Sequence, residues 1–387
     1  MKRNLVSTES APAPMRIINH DIVGCMAEGV GSDQTHSEYA PSLNNLGDPL
    51  YCGRALGLTE PGDLLQLHPG IESQWPYIRD HYRRVGINHT EQIIWDIDQK
   101  VLARYPEREI SVFYFGAAEH RARPDTAWFR AVDFINSKNN FVSLADRLGV
   151  PIPETRCFAQ AMDITARQIA AMPYPCYLKA AVSISGIGIY RCGDTAELRA
   201  AIGRFEPGIP VQLQREVATD RFLNLQYRVT AAGLERLVVT EQILDGYTHR
   251  GNRFPTPHAP WEYVEPMAEW LHREGIKDIF AFDVAVVQEG DTTDYLIVEC
   301  NPRFNGASYP TAIARKLGLE HWLTETFYTH HRSLASLRLT DIEYDPDRGE
   351  GVILVNWSPI LEGKLQCLIA GPEAARQRLL PELQRRL

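Results

Sequence analysis

The stretch YLIVECNPRFNGASYP, residues 295–310, ends a run of strand formers with Glu299, Asn301 and Arg303, an acid, an amide and a cation at every second position. Alternate residues of a strand share a face, so Ile297, Glu299 and Asn301 are expected on one side and Leu296, Val298 and Cys300 on the other. Upstream, FAFDVAVV (280–287) carries Asp283 as its only charge. The link QEGDTTD contains Gly290 and suits an antiparallel hairpin. With Val287 opposite Tyr295, counting inward from the turn sets Asp283 opposite Glu299. Directly opposed carboxylates destabilise a sheet, more so when partly buried. A divalent cation between them reverses the sign. Magnesium suits such a site because it takes oxygen ligands, is held by one or two carboxylates and fills its shell with water and phosphate; manganese is the alternative ion. Asn301 adds a neutral oxygen, and Arg303, just past the strand, is placed to grip an anion beside the metal. The competing reading is a solvated face whose acids pair with nearby arginines. Two acids in register followed by Asn-x-Arg favour the metal.

A metal with few protein ligands implies a phosphate-bearing partner, so cations should converge from elsewhere. Lys138 falls in the first turn of its helix, where the macrodipole disfavours a cation unless a phosphate shares the position. Lys179 interrupts the strand CYLKAAV, where a buried ammonium is costly without an anion. Each, taken singly, also fits a surface lysine that snorkels. After Lys179 comes SISGIG, in which Gly186 and Gly188 can bring backbone N–H groups close to phosphate oxygens. No G-x-x-x-x-G-K-[ST] loop occurs, so this is not a P-loop.

The elements that must position these residues fall into sections. A loose tail is expected over residues 1–14. Residues 15–135 read as a small open α/β domain, with parallel strands in DLLQLHPGI and EISVFYFGA and an amphipathic helix between them closed by Gly86. No G-x-G-x-x-G turn follows those strands. Residues 136–217 hold a helix stopped by Gly149, the strand 175–182, a helix with Asp194 and Glu197 at its start, and the strand VQLQREV. Residues 218–335 hold strands near 222–229, 236–243, 279–287 and 295–301, a helix near 261–274, and another in IARKLGLEHWLTETFYTHH. The polar segment GYTHRGNRFP (246–255), with two glycines, suits a lid. Residues 336–387 form a small C-terminal domain with two strands and an Arg-rich helix.

The chain has 387 residues, of which 44% are apolar and 23% charged, ordinary globular usage that argues against disorder. A formal net charge of -9 disfavours nucleic acid as the main partner. Seven cysteines, without a C-x-x-C pair or His cluster, read as reduced thiols of a cytoplasmic protein. No apolar run is long enough to cross a membrane, so no membrane partner is expected.

The order of a helix-opening Lys, a strand Lys followed by a Gly/Ser loop, a hinge strand, a strand Asp and then Glu-x-Asn-x-Arg resembles the ATP-grasp superfamily over residues 136–335. The resemblance implies two α+β lobes clasping ATP, a small lobe (136–217) and a large lobe with the metal site (218–335), preceded by a Rossmann-like α/β domain. It implies that Lys138 and Lys179 contact phosphates and that Ser185, Gly186 and Gly188 close over them. Gln214, Arg215, Glu216 and Val217 would form the hinge facing adenine, although similar proteins often have Glu where this chain has Gln214. Asp220 would take the ribose. FLNLQYRV would cross the floor with Asn224, Gln226 and Arg228 on one face. Magnesium would sit on Asp283, Glu299 and Asn301, with Arg303 and Arg228 serving the reacting groups.

The implied chemistry is activation of a carboxylate as an acyl phosphate by ATP, then attack by an amine, releasing ADP and phosphate. Amino acids or small peptides are the expected substrates, since the flanking domains look like those of amino acid ligases in natural-product pathways. Transfer to a carrier-protein thiol and phosphorylation of a hydroxyl are the alternatives. A homodimer through the first domain is common in similar proteins.

Overall fold

Short apolar runs in the first third of the chain pair as parallel strands. The computed structural model describes residues 15–21, 49–183, 188–246 and 248–387; the expected tail and residues 22–48 of the first domain lie outside these. Strands β1 (Arg16–Asn19), β2 (Leu64–Leu67), β3 (Ile93–Trp95) and β4 (Glu109–Val112) form a sheet in the order β3-β2-β1-β4. Its pairs are all parallel. Helices α1 (Trp75–Arg84), α2 (Val101–Arg104), α3 (Ala117–Ala122) and α4 (Thr126–Asn136) complete this domain.

The second section opens with α5 (Lys138–Leu148), capped by Ser137 and ended by Gly149 at φ 68°. Strand β5 (Thr155–Phe158), α6 (Ala166–Ala171), β6 (Cys176–Ala180), β7 (Ile189–Cys192), α7 (Thr195–Ile202) and β8 (Val211–Arg215) follow. Asp194 caps α7 by accepting from Ala196 and Glu197 N–H. The strands pair antiparallel in the order β5-β8-β6-β7. Leu178, Leu213, Ile169 and Leu198 close a core belonging to this lobe alone.

The third section builds an eight-stranded sheet. Its strands are β9 (Phe222–Thr230), β10 (Gly233–Asp245), β11 (Thr248–Phe254), β12 (Asp278–Glu289), β13 (Thr292–Asn301), β14 (Trp322–Tyr328), β15 (Gly351–Asn356) and β16 (Lys364–Ala370). The order is β13-β12-β9-β10-β11-β14-β16-β15. Helices α8 (Trp261–Glu274), α9 (Ser308–Leu317) and α10 (Glu373–Arg386) pack around it. Leu223, Leu225 and Tyr227 face the core shared with Phe280, Phe282 and Val284, as alternation along β9 requires.

Two expectations change here. The segment expected as a lid is, over its described part from Thr248, the strand β11, paired with β10. Its glycine serves proximity: a Cβ on Gly251 would lie 1.8 Å from the Thr324 carbonyl oxygen, the close backbone approach that Gly in a strand allows. The single helix expected over IARKLGLEHWLTETFYTHH stops at Leu317, where Gly318 takes φ 63°. WLTETFY then forms β14, as its aromatic and β-branched residues favour.

The residues after 336 add β15 and β16 to the same sheet and bury Val352, Leu354 and Leu368 in one core with Ile18, Leu65 and Tyr82 of the first domain. At ~1.5–3 kcal/mol per fully buried large apolar side chain, that shared core couples the two ends of the chain. An ion pair reinforces it. Arg84 grips Glu343 through two bonds of 2.7 Å, and His81 Nδ1 lies 2.8 Å from the same carboxylate. His81 Nε2 accepts from Leu354 N–H at 3.0 Å, so Nδ1 carries the proton given to Glu343. Burial works to raise the Glu343 pKa, but the bonds from Arg84 and His81 outweigh it and hold it at about 2, against 4.5. A depressed carboxylate contributes stability that is present above its unfolded pKa and is lost as pH falls toward the folded value. Arg84 is 41% exposed, which screens the pair. Glu343→Gln is therefore expected to lower unfolding stability by about 1–2 kcal/mol at pH 7. In urea titrations the deficit should narrow below about pH 4.5; a deficit independent of pH would refute the assignment.

Among the described residues no helix is long and apolar enough to cross a membrane. Cys52, Cys176, Cys192, Cys300 and Cys367 are buried free thiols, and Cys157 is an exposed one.

Candidate active site

Asp283 and Glu299 are paired across β12 and β13. The turn register, however, differs from the count made inward from Val287. Val287 pairs with Asp294 and Val286 with Tyr295, one residue out, and a bulge between Asp283 and Val284 restores the acid pair. Without the extra residue, Asp283 would face Val298. The bulge also corrects the expected faces, since Ile297 joins Cys300 in the core while Val298, Glu299 and Asn301 line the cavity. A bulge re-aims side chains in this way.

Three amides surround Asp283. Asn224 Nδ2 and Gln242 Nε2 donate to its Oδ1 at 2.7 and 2.6 Å, and Asn301 Nδ2 donates to Oδ2 at 2.9 Å. Burial raises the Asp283 pKa, Glu299 adds to the rise, and the amides and Arg303 oppose it without reversing it. For Glu299 burial also pushes upward, but Lys138, Lys179 and Arg303 together hold it below the usual carboxylate value. The pair thus carries one anion readily and a second at a cost.

The cations come from three elements. Lys138 Nζ lies 3.4 Å from Glu299 and 3.2 Å from Ser183 Oγ. Its backbone N–H donates to Ala181 O at 2.7 Å, tying α5 to the segment after β6. Lys179 Nζ donates to Gln214 Oε1 at 2.7 Å. Burial lowers the Lys179 pKa to about 8, with Glu299 pulling up and Lys138 down. Arg303 Nη1 donates to Asn301 Oδ1. Its buried Nε has no partner, a donor left without an acceptor in the cavity wall.

One cavity of about 1170 Å³ holds these groups. Lys138, Lys179, Gln214, Arg215, Glu216, Val217, Asn224, Asp283, Glu299, Asn301 and Arg303 all line it. Glu216 itself is held by Arg191 at 2.6 Å and by Tyr177 OH at 2.9 Å. Other expected residues stand apart. Gln226 is buried and donates to Thr311 on α9 at 3.4 Å. Arg228 pairs with Ile279 across β9 and β12, near Asp278 rather than the acid pair. Neither these two nor Asp220 is among the lining residues. Gly188 leads into β7 at φ 67°, whereas Ser185 and Gly186 lie outside the described residues.

Gln242 was missed. Nothing in EQILD sets it apart until β10 is known to lie beside β9, which brings its amide diagonally to Asp283. Asn305, whose Nδ2 lies 3.5 Å from Asn224 Oδ1, was also passed over, as were Tyr177, Arg54 and Lys364 in the lining.

The donor set suits a hard dication. It consists of oxygens alone, from two carboxylates on adjacent strands and one amide whose Oδ1 keeps a lone pair beyond the one Arg303 occupies. No cluster of three or more His, Cys, Asp or Glu occurs among the described residues, so the rest of a cation's shell here would come from water or a ligand.

No family model matches the chain, and no curated protein matches it in sequence. Solved structures do match in shape. N5-carboxyaminoimidazole synthetase from Staphylococcus aureus, complexed with ADP, superposes with TM-score 0.58 at 10% identity, covering 95% of each chain. The biotin carboxylase domain of 2-oxoglutarate carboxylase from Hydrogenobacter thermophilus, in complex with MgADP, ADP and bicarbonate, gives TM-score 0.55 at 12% identity, covering 96% of this chain and 90% of that one. L-amino acid ligase from Bacillus licheniformis gives 0.54 at 10% identity, covering 97% and 98%. The chain has the ATP-grasp fold. The likeness extends beyond the two ATP-grasp lobes to the first domain and the last strands, since it covers nearly the whole length.

Proposed function

We propose that this protein is an ATP-dependent ligase that activates a carboxylate as an acyl phosphate and joins it to an amine, with amino acids or small peptides as substrates. The observation that carries the reading is convergence: an acid pair, two lysines and an arginine with an unpartnered Nε face one cavity, beside the segment Gln214–Val217. Neighbours of the same fold bind ADP or MgADP, and one joins amino acids.

The parts divide the work. The backbone of Gln214–Val217 would hold the adenine edge, with Ile189, Phe222, Leu244 and Val298 as apolar walls. Lys138 and Lys179 would hold phosphate oxygens. Lys179 needs that anion most, since burial works against its charge. Magnesium on Asp283, Glu299 and Asn301 would supply charge neutralisation at the transferring phosphoryl group. Arg303 would orient the reacting carboxylate and, through Nε and the remaining guanidinium N–H groups, stabilise the oxyanion that forms when the amine attacks. Its own position is fixed by Asn301 and by the Phe113 ring, 5.8 Å from Cζ.

The reading is tested by incubating the protein with ATP, magnesium and a panel of amino acids and dipeptides. Release of ADP and phosphate with formation of amide products is expected. Hydroxylamine in place of the amine should trap the acyl phosphate as a hydroxamate. A stable phosphate ester instead would make the protein a kinase. Transfer to a carrier thiol would show as a mass shift on the carrier.

A further inference from the structure

The residues assigned above to nucleotide and metal leave part of the cavity lining without a task. That part belongs to the first domain and to β14, β15 and β16. Asn356 on β15 stands opposite Gln366 on β16, and Gln366 stands opposite Thr326 on β14. Three polar side chains therefore form a row across three neighbouring strands, and all three line the cavity. A bulge between Leu354 and Asn356 breaks the apolar run of β15 at this point, as the bulge in β13 does at the acid pair. Lys364 lies two residues before Gln366, on the same face of β16.

Two of these groups are incompletely satisfied. Asn356 is 7% exposed, yet its Oδ1 accepts no hydrogen bond. Leaving such an acceptor buried and unpaired is unfavourable. The Lys364 ammonium is bonded to the Tyr51 hydroxyl and lies 5.1 Å from the centre of that ring. Among the described residues it forms no ion pair with an acid. Arg54, close by, is already matched: it binds Asp21 at 2.8 Å and lies against Tyr51, Phe113 and Tyr309. Arg54 thus buttresses Tyr51, and among the described residues of this rim Lys364 is the cation left for a ligand.

A series of aromatic contacts leads from the reacting end to Lys364: the Phe113 ring lies 5.8 Å from Arg303 and 5.0 Å from Arg54, and the Tyr51 ring lies 5.3 Å from Arg54 and 5.1 Å from Lys364. Glu362 lines this rim too, so every negative charge brought in beside Lys364 has a cost, and a carboxylate brings one. A phosphate ester, nearly a dianion, would be left with excess negative charge.

We infer that the end of the cavity formed by Lys364, Asn356 and Gln366 binds a second carboxylate of the substrates being joined, remote from the carboxylate that is activated. Lys364 is its counter-charge, and Asn356 Oδ1 takes an N–H beside it. The inference rests on the ligase reading. Its carboxylate belongs either to an amino acid serving as the amine or to a second acid group on the activated partner.

Two assays on the full chain separate these sources. Hydroxamate formation with hydroxylamine reports the activated partner alone; ADP release with amino acids and their carboxamides reports the amine partner. Lys364→Met is expected to raise one KM by about 10- to 100-fold, the range for losing one charged hydrogen bond, with the KM for ATP unmoved. Lys364→Arg should recover part of the loss, which a merely structural lysine would not require. A rise in the amine's KM that is absent with its carboxamide places the carboxylate on the amine. A rise in the hydroxamate assay places it on the activated partner, and both outcomes support the site. Hydroxamate formed normally, with neither KM changed, overturns the inference and leaves the ligase reading intact. No hydroxamate from the wild-type protein with any acid overturns the ligase reading and this inference with it.

Discussion

Arg303→Met is expected to lower the rate of product formation by about 10³-fold or more while leaving ATP binding measurable. The magnitude follows from what the guanidinium replaces. A positioned arginine that neutralises transition-state charge is worth about 10³–10⁵ in rate. Here the group is buried, with Asn301 as its hydrogen-bond partner and Nε unpartnered, so it needs no reorganisation to receive an oxyanion. Methionine keeps much of the volume beside Phe113 and removes the donors. Arg303→Lys should recover little, because a single ammonium cannot reproduce the planar fork. Pre-steady-state measurement of ADP release against isothermal titration of the nucleotide checks both halves. Parallel losses in binding and rate would show that Arg303 serves nucleotide affinity instead.

Glu299→Gln is expected to have an effect of similar size for a different reason. The substitution preserves shape and removes one of two anions that would hold the dication. Metal stabilisation of transferring charge amounts to several kcal/mol, and at 1.36 kcal/mol per tenfold the expected fall is about 10³-fold. The variant should also need more magnesium for half-maximal rate. Removing Glu299 takes away the charge that, after burial, contributes most to raising Asp283, and it also strips Lys138 and Lys179 of their anion. Retained activity at ordinary magnesium concentrations would sink the metal assignment.

The acid pair was legible because both strands alternate cleanly and a short link joins them. Counting inward reached the right partners through a register one residue out at the turn, and a bulge made up the difference. Bulges leave little trace in a single strand's pattern; each one here sets a valine, Val298 or Val355, outside the paired register. Lys138 and Lys179 were legible as misplacements, cations where a helix start or a strand interior gives them no reason to be. Gln242, Asn356 and Lys364 were not, because each looks like ordinary polar alternation until non-local pairing sets its neighbours. Gly251 was misread for a related reason: it permits close approach to Thr324, 73 positions away in the sequence, and sequence alone shows only a glycine in a polar run.

The order β13-β12-β9-β10-β11-β14-β16-β15 puts Glu299 and Asn356 on opposite margins of a single hydrogen-bonded layer. Both margins nevertheless line one cavity, so a single sheet carries the place where phosphoryl transfer would occur and the place where the far end of a substrate would rest. A longer or shorter substrate must then be accommodated by exchanging side chains on the last two strands, leaving the reacting end untouched.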